Sequence, residues 1–257
     1  MYDKVLSFYK PPGITPNKLI DLIRKKYQEF ADVKIGFAGR LDPLAHGVML
    51  MMIGDENKNR DKYLNLSKIY EFQVLFGLDT DTYDVLGFLQ SNKINMIPVN
   101  LEKQINEFIK SKIGKQVQVY PPYSSKTVQG KPLFQWAREG RLSEIELPTH
   151  EIEIFNFDLL KIKEVPFDQI QKKILENINS VDGDFRQSET IKKWTKFFES
   201  AEGLTFKIAS FKIECSSGTY VRSLGHELGK KIGSGGIALD ILRVKVGEYT
   251  LSKSNKL

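Results

Sequence analysis

The chain has 257 residues, 41% hydrophobic and 27% charged, the balance of an ordinary globular protein long enough to bury a sizeable core. Its single cysteine, Cys215, excludes an internal disulfide or a cysteine-built metal site, and His46, His150 and His226 are too scattered to suggest a metal centre. The net charge of +6 suits an acidic partner, and the polar start around Asp3 and Lys4, with no apolar run of signal-peptide or membrane-spanning length, predicts a cytoplasmic protein.

Residues 5–9 read as a short strand that stops at Lys10-Pro11-Pro12-Gly13. Thr15 has the chemistry of a helix N-cap with Pro16 at the first helical position. Leu19, Leu22, Ile23, Tyr27 and Phe30 follow at helical spacing. Residues 36–47 read as a loop bounded by glycine and proline that carries one carboxylate, Asp42. The apolar run after it, 48–53, is a buried strand or a buried helix. An Asp-Pro pair is often only a turn starter, but a charge at the mouth of a buried element is costly unless something pairs with it.

Residues 69–76 alternate, with Tyr70, Phe72, Val74 and Phe76 on one face, as in a half-buried strand. On this pattern Tyr70 is a core aromatic as readily as a functional one. The acidic turn at 79–84 is not a calcium loop, because Asp84 stands where the sharp bend needs glycine and Gln90 where the last ligand belongs. Residues 101–113 predict a helix and 117–120 a strand running into Pro121-Pro122. From Lys110 to Arg141 there are seven basic residues against one acidic, Glu139, with Tyr120, Tyr123, Phe134 and Trp136 interleaved. Cations hold phosphates and aromatic faces stack bases, so this mixture suits nucleic acid; a solvated basic face over core aromatics is the other reading.

Two apolar stripes, Phe167/Ile170/Ile174/Ile178 and Ile191/Trp194/Phe197/Phe198, flank Asp182-Gly183 and predict a helical hairpin. Residues 204–215 read as a strand that changes phase near Ala209-Ser210, the mark of a bulge. Gly218-Thr219 opens a helix with Val221, Leu224, Leu228 and Ile232 on one face. The GxxxGK at 225–230 is one residue short of a phosphate loop and is discarded. Residues 241–250 form a final strand. Arg222 stands in the first turn of its helix, where the dipole disfavours a cation; a facing carboxylate would account for it.

Gly36-Phe37-Ala38-Gly39-Arg40-Leu41-Asp42-Pro43-Leu44-Ala45-His46-Gly47 resembles the catalytic motif of the TruB family, the tRNA pseudouridine-55 synthases. Further motifs resemble that family in its order: Lys10-Pro11-Pro12-Gly13, Lys68-Ile69-Tyr70, the turn at 77–87, Tyr120-Pro121-Pro122-Tyr123-Ser124-Ser125-Lys126 with Gly130-Lys131, and Gly218-Thr219-Tyr220-Val221-Arg222. Five motifs in order are far more specific than one. The resemblance implies an α+β pseudouridine synthase fold, a largely antiparallel mixed sheet with flanking helices and a central catalytic cleft. Residues 1–257 would form one catalytic domain with an RNA-binding insertion near 120–150. The helical hairpin near 166–203 is extra to the implied core.

The resemblance also implies roles. Asp42 matches the nucleophile, Tyr70 the aromatic that packs on the target base and takes its C5 proton, and Arg222 the cation paired with the aspartate. Lys10, Phe37, Arg40, Tyr123, Lys126 and Lys131 would contact substrate. The implied reaction is an isomerisation, so it needs no cofactor and no metal, and the implied partner is tRNA, through its T arm. The chain departs from the family at Phe37, where histidine is usual, and at Arg40, where alanine or threonine is usual. Arg40-Leu41-Asp42 is also similar to the motif of the ribosomal-RNA pseudouridine synthases. The small RNA-binding domain usual in bacterial members is not expected in the few residues after Thr250. Ribosomal or another RNA as substrate, and an RNA-binding protein with secondary catalysis, are the alternatives.

Overall fold

The structure is a computed structural model that describes residues 4–257; Asp3 lies outside the described residues. In chain order, β1 (Lys4–Lys10) leads to α1 (Pro16–Lys26), β2 (Ile35–Ala38), β3 (His46–Ile53), α2 (Arg60–Leu64) and β4 (Lys68–Phe76). A small hairpin, β5 (Leu78–Thr80) and β6 (Leu89–Asn92), precedes α3 (Leu101–Lys112) and β7 (Gly114–Val119). The short strands β8 (Thr127–Val128) and β9 (Lys131–Pro132) and helix α4 (Leu133–Arg138) lie within 120–150, the segment expected to be an insertion. Then come β10 (Thr149–Pro166), α5 (Phe167–Asn179), α6 (Gln187–Glu199), β11 (Thr205–Cys215), α7 (Val221–Ile232), β12 (Gly236–Val246) and β13 (Tyr249–Thr250).

The main sheet runs β1-β3-β12-β4-β11-β10-β7, with β2 beside β3 and β13 beside β12. Every pairing is antiparallel except β12 with β3, which meet in parallel through only His46 and Gly47 of β3. The mixed, largely antiparallel sheet therefore matches the expected class.

The run 48–53 is a strand, and its silence on period follows from burial on both faces. Met49, Met51 and Ile53 pack with Phe8 and the α1 residues Leu19, Ile20 and Ile23, while Val48, Leu50 and Met52 pack with Tyr63 and Val246. Thr15 does cap α1, accepting from the Lys18 amide at 3.2 Å. The expected loop 36–47 is shorter than read, because residues 36–38 belong to β2 and pair with Leu50–Met52.

Both faces of the central sheet are covered. Tyr70, Phe72, Val74 and Phe76 of β4 pack beneath α3 and α7. On the opposite face Leu75, Phe206, Ile208 and Ile237 meet the predicted hairpin through Ile170, Ile174, Ile178, Trp194 and Phe198 of α5 and α6. Each such buried side chain contributes roughly 1.5–3 kcal/mol, so the hairpin is a structural layer and no appendage. The double coverage also corrects the predicted bulge in β11. Its even and odd residues serve different cores, which looks like a phase change in sequence. The extra residues lie on the partner strand β10, at Phe155 and Leu160. The final strand begins at Gly236, earlier than read, and is interrupted by a turn before β13.

The acidic turn after β5 is held from within. The Thr82 hydroxyl donates to Asp84 Oδ1 at 2.5 Å and the Leu86 amide to the same oxygen at 3.0 Å. From α6, Thr190 and Trp194 donate to the carbonyls of Leu86 and Gly87. Burial raises the Asp84 pKa from 3.8 to about 6, with the Arg222 charge and the Thr82 bond pulling it back. A carboxyl raised this way stabilises the fold below its unfolded pKa and loses that contribution as pH rises through about 6. Asp84→Asn lacks the titration. Its stability relative to wild type should therefore improve between pH 5 and pH 7.5, by about 1 kcal/mol, in urea unfolding at the two pH values. An unchanged difference would place the carboxyl in water.

Candidate active site

Loop 39–45 between β2 and β3 presents Asp42. Two glycines fix its ends: Gly39 adopts φ +78°, and Gly47, at φ +111°, lies so close to β12 that a Cβ would sit 2.2 Å from the Arg243 carbonyl oxygen. Beneath the loop lies Lys10, fully buried at the end of β1. Its ammonium donates to the carbonyls of Pro11 (3.0 Å), Pro43 (3.0 Å) and Ala45 (2.7 Å). Three acceptors match the three N–H groups of an ammonium. Burial pushes the Lys10 pKa down to about 7; the Asp42 charge pulls it up and Arg243 pushes it further down. The Gly13 amide adds a bond to the Pro43 carbonyl at 2.9 Å. The Lys-Pro-Pro-Gly motif is thus the bed of the Asp42 loop, and Lys10 has no donor left for a substrate.

Arg222 answers Asp42 from the first turn of α7. Its Nε donates to Asp42 Oδ2 at 2.7 Å, its Nη1 to the Thr82 carbonyl at 3.0 Å and its Nη2 to the Tyr123 carbonyl at 2.7 Å. Its side chain is 3% exposed and that of Asp42 33%, so the carboxylate faces solvent while the cation is enclosed. Burial alone would lower the Arg222 pKa; Asp42 and Asp84 outweigh it, and the net shift is upward. The awkward position at a helix N-terminus is explained by these two carboxylates.

The pair opens into a cleft of about 620 Å3. Tyr70, Arg40, Tyr123 and Lys126 line it together with Asp42 and Arg222. Tyr70 is nearly buried on the cleft floor beside Arg243; burial raises its hydroxyl pKa and the guanidinium opposes that, with a net upward shift. The Tyr123 hydroxyl donates to Asp81 at 3.0 Å. Lys126 lies 5.2 Å over the Tyr120 ring, and Tyr120 and Phe134 also reach the cleft.

Besides Lys10, two more expected site residues lie outside the cleft. Phe37 is on β2 and packs against the core under α1, touched by Arg40 at 5.7 Å from its ring centre. Lys131 pairs with Glu139 at 2.6 Å and lies 4.2 Å over the Trp136 ring, outside the cleft. Trp136 is buried beneath Lys131 and Arg141, so its face is not open to a base.

Sequence reasoning missed Arg243, Lys68, Arg138, Phe185 and Arg186, all of which line the cleft. Arg243 could have been suspected, as a cation within an apolar strand. It is 1% exposed and donates to the carbonyls of Val48 (2.7 Å) and Gly39 (3.0 Å), filling the gap where β3 leaves β12. Lys68 donates to the carbonyls of Leu64 and Leu66, and burial lowers its pKa to about 8. Phe185 and Arg186 come from the connection between α5 and α6, which has no chemical signature in the sequence.

A family model described as "TruB family pseudouridylate synthase (N terminal domain)" matches residues 24–178. Among curated relatives, the tRNA pseudouridine synthase B of Thermotoga maritima is 32% identical over 97% of this chain and 65% of its own length. That of Thermosipho melanesiensis is 30% identical over 96% and 64%. That of Clostridium acetobutylicum is 31% identical over 98% and 70%. The chain spans just under two thirds of the first two relatives. Two solved structures share the fold. One, titled a Cbf5-Nop10-Gar1 complex, has a TM-score of 0.59 at 18% identity, covering 98% of this chain and 52% of that one. The other, an H/ACA RNP bound to a substrate RNA containing 2′-deoxyuridine, has a TM-score of 0.56 at 17% identity, covering 98% and 50%. With a family model matched over more than half its length, around the very loop that carries Asp42, the chain belongs to the TruB family of pseudouridylate synthases.

Proposed function

We propose that this chain isomerises a uridine of tRNA to pseudouridine, with Asp42 as the nucleophile and the uridine of the T loop, position 55, as the target. The observation that carries the reading is the Asp42–Arg222 pair: a carboxylate open to a cleft and bound by a buried guanidinium. The printed names of the relatives, tRNA pseudouridine synthase B, support tRNA as the substrate class. The cleft is large enough for one nucleotide, which must be extruded from its stack to enter.

In this reading the Asp42 carboxylate attacks and later departs, which a carboxylate does well. The C1′–N1 bond breaks, the detached uracil turns, and a C1′–C5 bond forms. The C5 proton leaves and N1 gains one, so the product is an isomer of the substrate. Arg222 fixes the attacking oxygen through one N–H; its other donors are committed to backbone. The Tyr70 ring supports the base, and its oxygen, as phenolate, accepts the C5 proton. Burial disfavours that phenolate, and Arg243 is the cation that offsets part of this. Lys126, Arg40 and Tyr123 contact the RNA, whereas Lys10 and Arg243 hold the loop that carries Asp42.

Asp42→Asn keeps the shape and an acceptor for Arg222 but is no nucleophile. Pseudouridine formation on a T-arm stem-loop with excess enzyme should fall at least about a hundredfold, with RNA affinity within about threefold of wild type. Activity within tenfold of wild type would remove Asp42 from the chemistry.

Tyr70→Phe keeps the ring but loses the proton acceptor. Single-turnover tritium release from C5-labelled uridine should drop while RNA binding is retained. Release at the wild-type rate would leave Tyr70 a packing aromatic.

The two insertion lysines should separate. Lys126→Ala should weaken RNA binding and reduce the slope of log affinity against log salt by about one, the loss of one phosphate contact. Lys131→Ala, whose ammonium is engaged with Glu139 and Trp136, should leave the slope unchanged. Salt-series titrations with each variant decide it, and equal effects from both would void the distinction.

A further inference from the structure

The connection between α5 and α6 does not run free in solvent. The Asp182 amide donates to the Gly13 carbonyl at 2.8 Å and its carboxylate pairs with Lys18 at 2.9 Å, tying the connection to the bed of the Asp42 loop. Arg138 of the insertion donates to the Asp184 carbonyl at 2.9 Å. Next to this tether Arg186 adopts φ +64°, a left-handed conformation that a non-glycine residue holds only where its surroundings enforce it.

The Arg186 side chain enters a socket. Its Nη1 pairs with Asp81 Oδ2 at 2.9 Å, and its guanidinium lies 4.0 Å from the Phe88 ring centre and 4.5 Å from that of Tyr123. The same Asp81 oxygen accepts from the Tyr123 hydroxyl, and the other oxygen accepts from the Phe88 amide at 2.7 Å. Arg186 thus knots together two segments far apart in sequence, the acidic turn and the start of the insertion. These are the segments whose carbonyls orient Arg222, because Thr82 follows Asp81 and Tyr123 is itself part of the knot.

We infer that Arg186 is a positioning residue for the Arg222–Asp42 pair, and that the hairpin's second task, after covering the sheet, is to deliver it. The inference rests on the proposed role of Asp42. A planar guanidinium held by two carbonyls has its third direction fixed, so a shift of either carbonyl turns Nε away from Asp42. Arg186 reaches neither group directly; it sets the spacing of the two carbonyls. A phosphate-binding role fits less well, since the Arg186 side chain is 16% exposed and its guanidinium already has a carboxylate and two ring faces.

The test uses the full chain with Arg186→Met, Arg186→Lys, Asp81→Asn and the Met/Asn double variant. Single-turnover pseudouridine formation and RNA affinity are measured beside the 15N resonance of the Arg222 Nε–H group, with Asp42→Asn marking its position when the carboxylate is lost. Arg186→Met should slow the single-turnover step by about tenfold to a hundredfold, with RNA affinity within about twofold. The Arg222 signal should move towards its Asp42→Asn position, Arg186→Lys should recover part of both effects, and the double variant should be no slower than Arg186→Met. Lost RNA affinity at an unchanged rate would overturn the inference in favour of a phosphate contact. An unchanged rate and resonance would overturn it outright, as would independent, additive effects at Asp81 and Arg186. The resonance needs no turnover, so a wild-type chain without pseudouridine formation would strike the proposed function while the signal still reported on the positioning.

Discussion

The pairing of Arg222 with Asp42 is the constraint around which the rest of the structure is arranged. A guanidinium 3% exposed forfeits its hydration, a penalty of several kcal/mol for a buried ion, and a single carboxylate contact at an effective dielectric near 20 returns only about 4 kcal/mol at 4 Å. The remainder comes from two backbone carbonyls, which must themselves be held in place. Lys10 and Arg243, also buried, are handled the same way, each spending its donors on carbonyls around the Asp42 loop. Three enclosed cations thus surround one open carboxylate. Such an arrangement is weak as a source of stability and well suited to holding one carboxylate in a fixed orientation at the cleft.

This distribution explains why the insertion and the hairpin meet at the cleft. The insertion supplies the Tyr123 carbonyl to Arg222 and brings Lys126 to the cleft, but its other charges are largely satisfied locally, Lys131 and Arg141 by Glu139 and Glu144. The hairpin fills one face of the sheet with Ile174 and Trp194 and then returns a loop to the acidic turn. Packing and site geometry are therefore carried by the same element, and a change in one is felt in the other.

What was legible in the sequence follows physical lines. The capped helix α1, the alternating strand β4, the hairpin helices and the loop around Asp42 each satisfy a local rule, and local rules can be read one segment at a time. The long strand β10 went unread because Phe155 and Leu160, the extra residues in its ladder, break the two-residue period. The short strand β2 hid in what looked like loop, since four residues carry too little pattern. The family motifs pointed to Asp42, Tyr70 and Arg222, and all three meet in one cleft. They also suggested Phe37 and Lys131, whose side chains turn into a core and onto a local ion pair. Arg186 was invisible because its importance lies in contacts with residues a hundred positions away.

The place of β12 between β3 and β4 sets an order of assembly. Without it the sheet is two pieces, β1 with β2 and β3 on one side and β4, β11, β10 and β7 on the other. The strand that joins them follows β1, β3, β4, β7, β10 and β11 in sequence, and it brings Arg243 shortly after α7 brings Arg222. A nascent chain can form either half sheet early, but the half that holds Asp42 lacks Arg222 and Arg243 until α7 and β12 have been made. Contacts of such long sequence separation close slowly, because the entropy of the intervening loop is lost before the contact is gained. The charged pocket is thereby withheld from chains that lack β12: the polypeptide acquires it at the moment its two halves become one sheet.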